Sequence, residues 1–337
     1  MLLNPAMWWR AIRVIPRLDK DEWNGLDLIA RWLIATRAAV LIITLLSAAI
    51  AGLLAYRAGQ FSWQLWLVLT LGLLMAHATN NLLNDLTDHL TGADTDNSFR
   101  SQYGPQPLEH GLMSRRENLC YALVTGLIAV AAGGYLVSVG GSGVLVLLAV
   151  GAFFVLFYSY PLKYFGLGEL AVLVVWGPLM IAGGYYVLTG GWTWSVVLAS
   201  LPYGLGATTV IFGKHIDKLS TDRAKRIYTL PVLIGERTAR YAVIGMMAAQ
   251  YALVGCLVAS RFFSPVLLLV LLATRTFGLV IRVYRQPRPE HMPPEYRADI
   301  WPLWFVAFAF LHNRKFGGLF LLGLGLEAGL RQLAWLD

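Results

Sequence analysis

The chain has 337 residues, of which 57% are hydrophobic and only 14% charged, with a net charge of +8 and a mean hydropathy of +0.60. A water-soluble domain carries roughly 25% charged residues, so this composition excludes a soluble globule. The positive charge does not indicate a nucleic-acid partner, because the basic residues sit in loops between apolar runs, where membrane topology accounts for them.

Residues 1–27 read as a cytoplasmic basic tail carrying Arg10, Arg13, Arg17 and Lys20, not as a cleavable leader. Continuous apolar runs then follow at 28–56, 63–84, 118–138, 143–160, 168–189, 193–213, 240–260, 264–283 and 300–322. Such runs match the ~20 residues that a helix needs to cross a ~30 Å hydrocarbon core. Alternating strand patterns are absent, and a backbone in lipid must satisfy its own hydrogen bonds, so helices are expected in preference to a barrel. The expected class is therefore all-α: a polytopic membrane protein with about nine spans, forming a single transmembrane unit over 28–337. The ninth run is interrupted by His312-Asn313-Arg314-Lys315, and reads either as one helix with a polar waist or as two half-length pieces. Cys120 and Cys256 lie at or in apolar spans, which argues against a disulfide framework or a zinc site.

Lysine and arginine distribute unevenly over the loops. Arg100, Arg115, Arg116, Lys163, Lys214, Lys218, Arg223, Lys225, Arg226, Arg282 and Arg285 follow even-numbered spans, whereas the loops after odd-numbered spans hold only Arg57 and Arg261. Positive residues resist translocation. The N-terminus and the rich loops are thus expected in the cytoplasm, in a multi-pass protein of the cell membrane.

Two polar constellations stand at the ends of spans two and six. Asn84 and Asp88 are four residues apart and share a helix face, and Gly92 can turn the chain so that Asp94 joins them. Oxygen ligands gathered in this way suit Mg²⁺, which is held by few carboxylates together with substrate phosphates. A solvated acidic helix end is the plainer reading, but acids at a membrane span are costly and point to function. The second constellation is Lys214-His215-Ile216-Asp217-Lys218, then Asp222-Arg223 and Thr229-Leu230-Pro231. Acids for a metal mixed with bases for phosphate oxygens suit a magnesium–diphosphate complex, although the bases alone are what topology would place there. His215 reads either as a base toward an acceptor or as a solvated loop histidine.

The pattern Asn84-x3-Asp88-x3-Gly92-x-Asp94, followed by Asp222-Arg223-x5-Thr229-Leu230, resembles the UbiA superfamily of intramembrane prenyltransferases. Its menaquinone-biosynthesis branch, which prenylates 1,4-dihydroxy-2-naphthoate, is the most similar. That likeness rests on Tyr158-Ser159-Tyr160-Pro161-Leu162-Lys163-Tyr164, Gly166-Leu167-Gly168-Glu169 and Gly177-Pro178 through Gly190. The resemblance spans residues 80 to 235. It implies a central lipid-open cavity in which two acidic motifs hold Mg²⁺ on an isoprenyl diphosphate, which is transferred to a hydrophobic, aromatic acceptor of the quinone-precursor kind. By the same resemblance Asn84, Asp88, Asp94 and Asp222 are metal ligands, Lys163 contacts the diphosphate, and Arg100 stands in for the basic residues after the first motif.

The second motif departs from the family pattern, because Lys218 stands four residues before Asp222, where an acid is usual. Either a bulge near Ser220-Thr221 brings Asp217 beside Asp222 as the ligand, which is the preferred register, or Lys218 meets the diphosphate directly with Lys214 and Arg223. Tyr158, Tyr160 and Tyr164 either face the allylic cation with π density or anchor the chain at the interface. Two other functions fit less well: a membrane terpene cyclase on the same scaffold, needing no acceptor, and a transporter, whose coupling acids would lie mid-span rather than at span ends.

Overall fold

The computed structural model describes residues 3–93, 106–296 and 300–332, so Asp94 and Arg100 lie outside the described residues. Among the described residues the regular structure is helical throughout. In chain order the helices are α1 Pro5–Arg13, α2 Lys20–Asn24, α3 Leu28–Ala35, α4 Ala38–Arg57, α5 Trp63–Leu90, α6 Arg115–Gly140, α7 Ser142–Phe157, α8 Gly168–Thr189, α9 Trp194–Asp217, α10 Leu219–Ala224, α11 Leu230–Ile234, α12 Glu236–Ala259, α13 Pro265–Tyr284 and α14 Phe305–Gln332. Seven of these (α4, α5, α6, α8, α9, α12 and α13) are long and apolar enough to cross a membrane. The helix α7 has 16 residues, and α14 carries the polar waist.

Local sequence signals set the boundaries. Ser62 caps α5 by accepting from Leu65 N, and Ser114 with Glu117 forms a reciprocal capping box at α6. At Gly141, with φ +73°, the chain reverses between α6 and α7 in a single residue. Helices α8 and α9 cross at their glycines, where a Cβ on Gly204 would come within 2.9 Å of the Gly177 Cα. Such close backbone approach is how membrane helices gain contact without a hydrophobic driving force. The central segment of α8, Val175–Ala182, is a π-helix built around Pro178, and the wider winding accommodates the missing N–H.

Three span expectations change. The first run, 28–56, is two helices, because the chain breaks at Thr36-Arg37, where Arg37 is left-handed at φ +56°. The second run continues past residue 84 to Leu90, which keeps Asn84, Asp85 and Asp88 helical and buried. The last run is one continuous helix, α14, whose waist turns His312 and Asn313 inward and Arg314 and Lys315 outward. Residues 1–27 are also not a free tail: Ala11, Trp23 and Leu26 pack in one buried cluster with Leu82 and Ala122, and the Asp27 carboxylate accepts from Trp8 Nε1 at 2.9 Å.

The main core is formed by α4, α8, α9, α12, α13 and α14 around Ile50, Ile181, Tyr203, Val254, Leu267, Phe316 and Phe320. One end of the bundle carries the two polar constellations. The other end is fastened by Glu327, fully buried, whose Oε1 forms an ion pair with Arg57 Nε at 3.1 Å and whose Oε2 accepts from Ser264 N at 3.2 Å. The Arg57 guanidinium also lies 4.4 Å from the centre of the Phe262 ring. Removing one partner of a buried ion pair strands the other, at a cost of about 3 kcal/mol or more. Glu327→Ala should therefore lower thermal stability in detergent by about that amount, whereas an equally large truncation at exposed Leu326 should leave the midpoint nearly unchanged.

Candidate active site

The site is organised by α5, whose last four turns carry two polar stripes at four-residue spacing, about 100° apart around the helix. One stripe, His77-Asn81-Asp85, faces α3 and α4. Thr44 Oγ1 and His77 Nδ1 are 2.8 Å apart, Asn81 Nδ2 donates to Thr36 O at 2.9 Å, and the Arg37 guanidinium pairs with Asp85. This stripe closes the break between α3 and α4. The other stripe is Asn80-Asn84-Asp88, facing α7 and the loop after it: Asn80 Nδ2 donates to Val155 O and Asn84 Nδ2 to Ser159 Oγ, both at 3.0 Å.

Asp88 ends the second stripe, buried at 5% exposure, with Lys163 Nζ at 2.6 Å and 2.9 Å from its two oxygens. Lys163 sits in the short 3-10 turn Leu162–Phe165 and is itself buried. Burial alone would lower the Lys163 ammonium, but the Asp88 carboxylate, by charge and by hydrogen bonding, holds it above the usual lysine range. Lys218 and Lys214 also lie within electrostatic reach of Asp88. Lys218 Nζ is 3.2 Å from Asp222 Oδ1, while Asp222 Oδ2 is buried with no hydrogen-bond partner among the described residues. Lys225 Nζ donates to Gly92 O and Ala93 O, at 3.3 Å and 3.0 Å, tying α10 to the end of α5.

Below this cluster lies an apolar cavity of about 590 Å³ between α5, α6, α7 and α8. Asn80 and Tyr158 line its polar end, and Leu69, Leu136, Val144 and Gly184 are among the residues that line it deeper in the bundle. Leu123 and Leu127 on α6 and Leu156 on α7 line the cavity and are also exposed, so the cavity opens sideways through these two helices.

The two sequence constellations thus meet at one end of the bundle, with one exception. Asp217 is turned away: its oxygens accept from Trp304 N, Phe305 N and Val306 N, each at 3.0 Å, capping the start of α14. The expected bulge does not form, because α9 runs to Asp217 and α10 restarts at Leu219, which leaves Lys218 and Asp222 on a common face. In this geometry Lys218, and not Asp217, lies beside Asp222. His215 is also not a solvated loop residue. It is buried, with Nδ1 2.6 Å from Glu169 Oε1, and Glu169 Oε2 accepts from Leu230 N, so this pair joins α8, α9 and α11.

Of the tyrosines only Tyr158 faces the cavity. Tyr164 donates to Thr91 Oγ1 at 2.9 Å, and Tyr160 is 58% exposed and stacks edge-on against it. Arg223 is exposed at the surface. Sequence reasoning gave no role to His77, Asn80 or Asn81, and quoted Glu169 only as part of a motif. The four-residue period 77-81-85, and an acid at the start of an apolar run, were the available signals.

The donor set is suited to a hard cation. Asn84 offers its amide oxygen once Nδ2 is committed to Ser159, and Asp222 Oδ2 is buried without a partner. Among the described residues no group of three or more acidic, cysteine or histidine side chains is placed to hold a metal ion; Mg²⁺ in general takes part of its ligand set from substrate phosphates. The different tasks of Asp217 and Lys218 should separate in a mutant pair. Asp217→Ala should lower thermal stability by about 2 kcal/mol, as loss of a buried multi-bond cap, with donor KM unchanged. Lys218→Ala, which strands buried Asp222, should also lower stability but in addition raise donor KM about tenfold, so donor KM is the readout that separates the two.

The model of the UbiA prenyltransferase family matches residues 45–313. The chain is 27% identical over 220 residues to the 1,4-dihydroxy-2-naphthoate octaprenyltransferase of Escherichia coli, covering 62% of this chain and 70% of the relative. It is 25% identical over 229 residues to the 2-carboxy-1,4-naphthoquinone phytyltransferase of Synechocystis, covering 64% and 71%. Among solved structures, the apo UbiA homolog from Aeropyrum pernix superposes with a TM-score of 0.61 at 19% identity, over 87% of this chain and 98% of the other. The UbiA homolog from Archaeoglobus fulgidus bound to DMAPP and Mg²⁺ gives 0.55 at 15%, over 86% and 98%. Both superpositions establish a shared fold.

Proposed function

The chain belongs to the UbiA prenyltransferase family and is a multi-pass membrane prenyltransferase; on that premise we propose that it transfers an isoprenyl chain from its diphosphate to an aromatic acceptor of the naphthoate type, with Mg²⁺ as cofactor. The observation that carries this reading is the continuity of one α5 face: Asn80 at the mouth of the apolar cavity, then Asn84, then Asp88 paired with Lys163. A long apolar chain with an anionic head is the ligand chemistry that such a surface fits. The acceptor class is supported by the naphthoate and naphthoquinone substrates named for the relatives, and the metal by the DMAPP- and Mg²⁺-bound neighbour.

The diphosphate lies among Lys163, Lys214 and Lys218, with the chain running down the cavity past Tyr158. Asn84, Asp88 and Asp222 would hold Mg²⁺, and by the family resemblance Asp94 would add a carboxylate to the metal and Arg100 would meet the diphosphate. When bound, the metal neutralises charge on the departing diphosphate. Lys163 moves from Asp88 to a phosphate oxygen, a short shift for a flexible ammonium, and stabilises the leaving group as the allylic C–O bond breaks. The electron pair leaves with the diphosphate. The apolar walls exclude water from the allylic cation, and the Tyr158 ring offers it π density. A C–C bond then forms to the acceptor ring, and the ring proton passes to the released diphosphate. His215, locked against Glu169, serves to position α9 rather than to take that proton. The polar end and the N-terminus face the cytoplasm of a cell-membrane protein, consistent with the basic loops around the site.

Purified protein incubated with geranylgeranyl diphosphate, Mg²⁺ and a dihydroxynaphthoate should yield a prenylated acceptor by mass. Product formed without acceptor would identify a cyclase, and no consumption of the donor in any mixture would point to transport. Asp88→Asn, which keeps the shape of the side chain, should lower kcat at least tenfold, or about 1.4 kcal/mol of barrier. Chelation with EDTA should abolish turnover, and Mg²⁺ or Mn²⁺ should restore it; undiminished activity after thorough chelation would remove the metal from the mechanism.

A further inference from the structure

The apolar cavity is longer than the chemistry at its polar end requires. Along α7 its lining residues Val144, Leu148, Gly151, Val155 and Tyr158 recur at steps of three and four, so they form one helix face, with Gly151 in the middle of it. That face runs fourteen residues, about 21 Å, from Tyr158 down to Val144. On α5 the wall runs eleven residues from Asn80 to Leu69, about 16 Å.

The two halves of the cavity differ in their walls. Toward the polar end the exposed residues Leu123, Leu127 and Leu156 leave it open between α6 and α7. Deeper in the bundle it is lined by Leu69 of α5, Leu136 of α6, Val144 of α7 and Gly184 of α8, all four buried, so the lower half is closed to lipid on the side of each helix. Gly151 stands on the path between the halves. A Cβ on Gly133 would come within 2.6 Å of Leu148 Cδ1, and one on Gly183 within 3.2 Å of Leu147 Cδ2, so those two glycines serve helix packing. A Cβ on Gly151 would meet nothing within 4 Å. The side chain it lacks is open bore.

We infer that the cavity takes a donor chain of four isoprene units, and that Gly151 is the specificity-determining position which the third and fourth units pass; the assignment rests on the prenyl-transfer reading of the same site. Each isoprene unit adds four chain bonds, about 4.5 Å when extended. Gly151 lies seven residues from Tyr158, about 10 Å down α7, so two units fit above it. Four units reach about 18 Å, between the lengths of the α5 and α7 walls, and the last two fill the closed half. A two-unit chain leaves that half empty, and a chain longer than four units has to turn out between α6 and α7.

The test reads donor binding and product separately. Calorimetric titration of the detergent-purified protein with geranyl or geranylgeranyl diphosphate, with Mg²⁺ and without acceptor, gives the two Kd values. The wild type should bind the four-unit donor at least tenfold more tightly than the two-unit one. Gly151→Phe should weaken geranylgeranyl diphosphate about tenfold or more by filling the bore, with geranyl diphosphate held to within about twofold. Gly151→Leu should show the same selective loss, about threefold or more, and decides the matter if the phenylalanine variant does not fold. Gly134→Phe, on an exposed part of α6 that does not line the cavity and where a Cβ likewise meets nothing within 4 Å, should bind both donors as the wild type does. Equal binding of the two donors by the wild type would overturn the proposal, as would Gly151 variants that weaken both donors alike or neither. The chain would then leave sideways between α6 and α7. The same mixtures with a dihydroxynaphthoate added are analysed by mass. Absence of any prenylated product while the binding differences hold would overturn the transfer reading and leave the Gly151 assignment standing.

Discussion

A carboxylate buried between apolar helices needs a cation against it, and Asp88 has Lys163 at 2.6 Å. That pair joins α5 to the turn between α7 and α8, and so fixes the polar end of the cavity relative to its walls. An uncompensated charge in this setting costs several kcal/mol, so the two elements cannot separate until another charged group takes one partner's place. A diphosphate with its metal is such a group. The pair keeps the polar end shaped, and under the proposed function its exchange for phosphate contacts would be the first event of substrate binding.

The same rule orders the rest of the molecule. Asp85 answers Arg37 at the break before α4, Glu327 answers Arg57 and Arg331 at the far end, and Asp217 answers three backbone N–H groups at the start of α14. In each case a polar group inside the bundle marks a place where the chain breaks, turns or begins a helix.

Much of this was legible in the sequence. Hydropathy located the helices because lipid forces every span to be continuous and apolar, and the Asn84-x3-Asp88 spacing placed both residues on one face, where they are found. What could not be read was which way each polar side chain turns. Asp217 and Lys218 are adjacent, and one bond of helix rotation decides between a helix cap and a phosphate contact. The deciding factor was α14, whose bare N-terminus lies more than 80 residues away in sequence and takes the Asp217 oxygens. The polar waist of α14 was ambiguous for a similar reason. His312 and Asn313 are tolerated mid-helix because Tyr251, 2.9 Å from His312 Nε2, and neighbouring side chains enclose them, and no local pattern announces a tertiary partner. Likewise, the sequence marked Glu169 as part of a motif but not as the residue that locks His215.

The measurement that bears most directly on the site is the anomalous scattering of Mn²⁺ in crystals grown with a non-ionisable thio-analogue of an isoprenyl diphosphate. A metal peak shared between phosphate oxygens and Asp88 or Asp222, with Lys163 Nζ moved onto the diphosphate and Asp217 still on the α14 backbone, is the expected result. A peak bound by Asp217, or a diphosphate seated elsewhere while the Lys163–Asp88 pair stays intact, would contradict it.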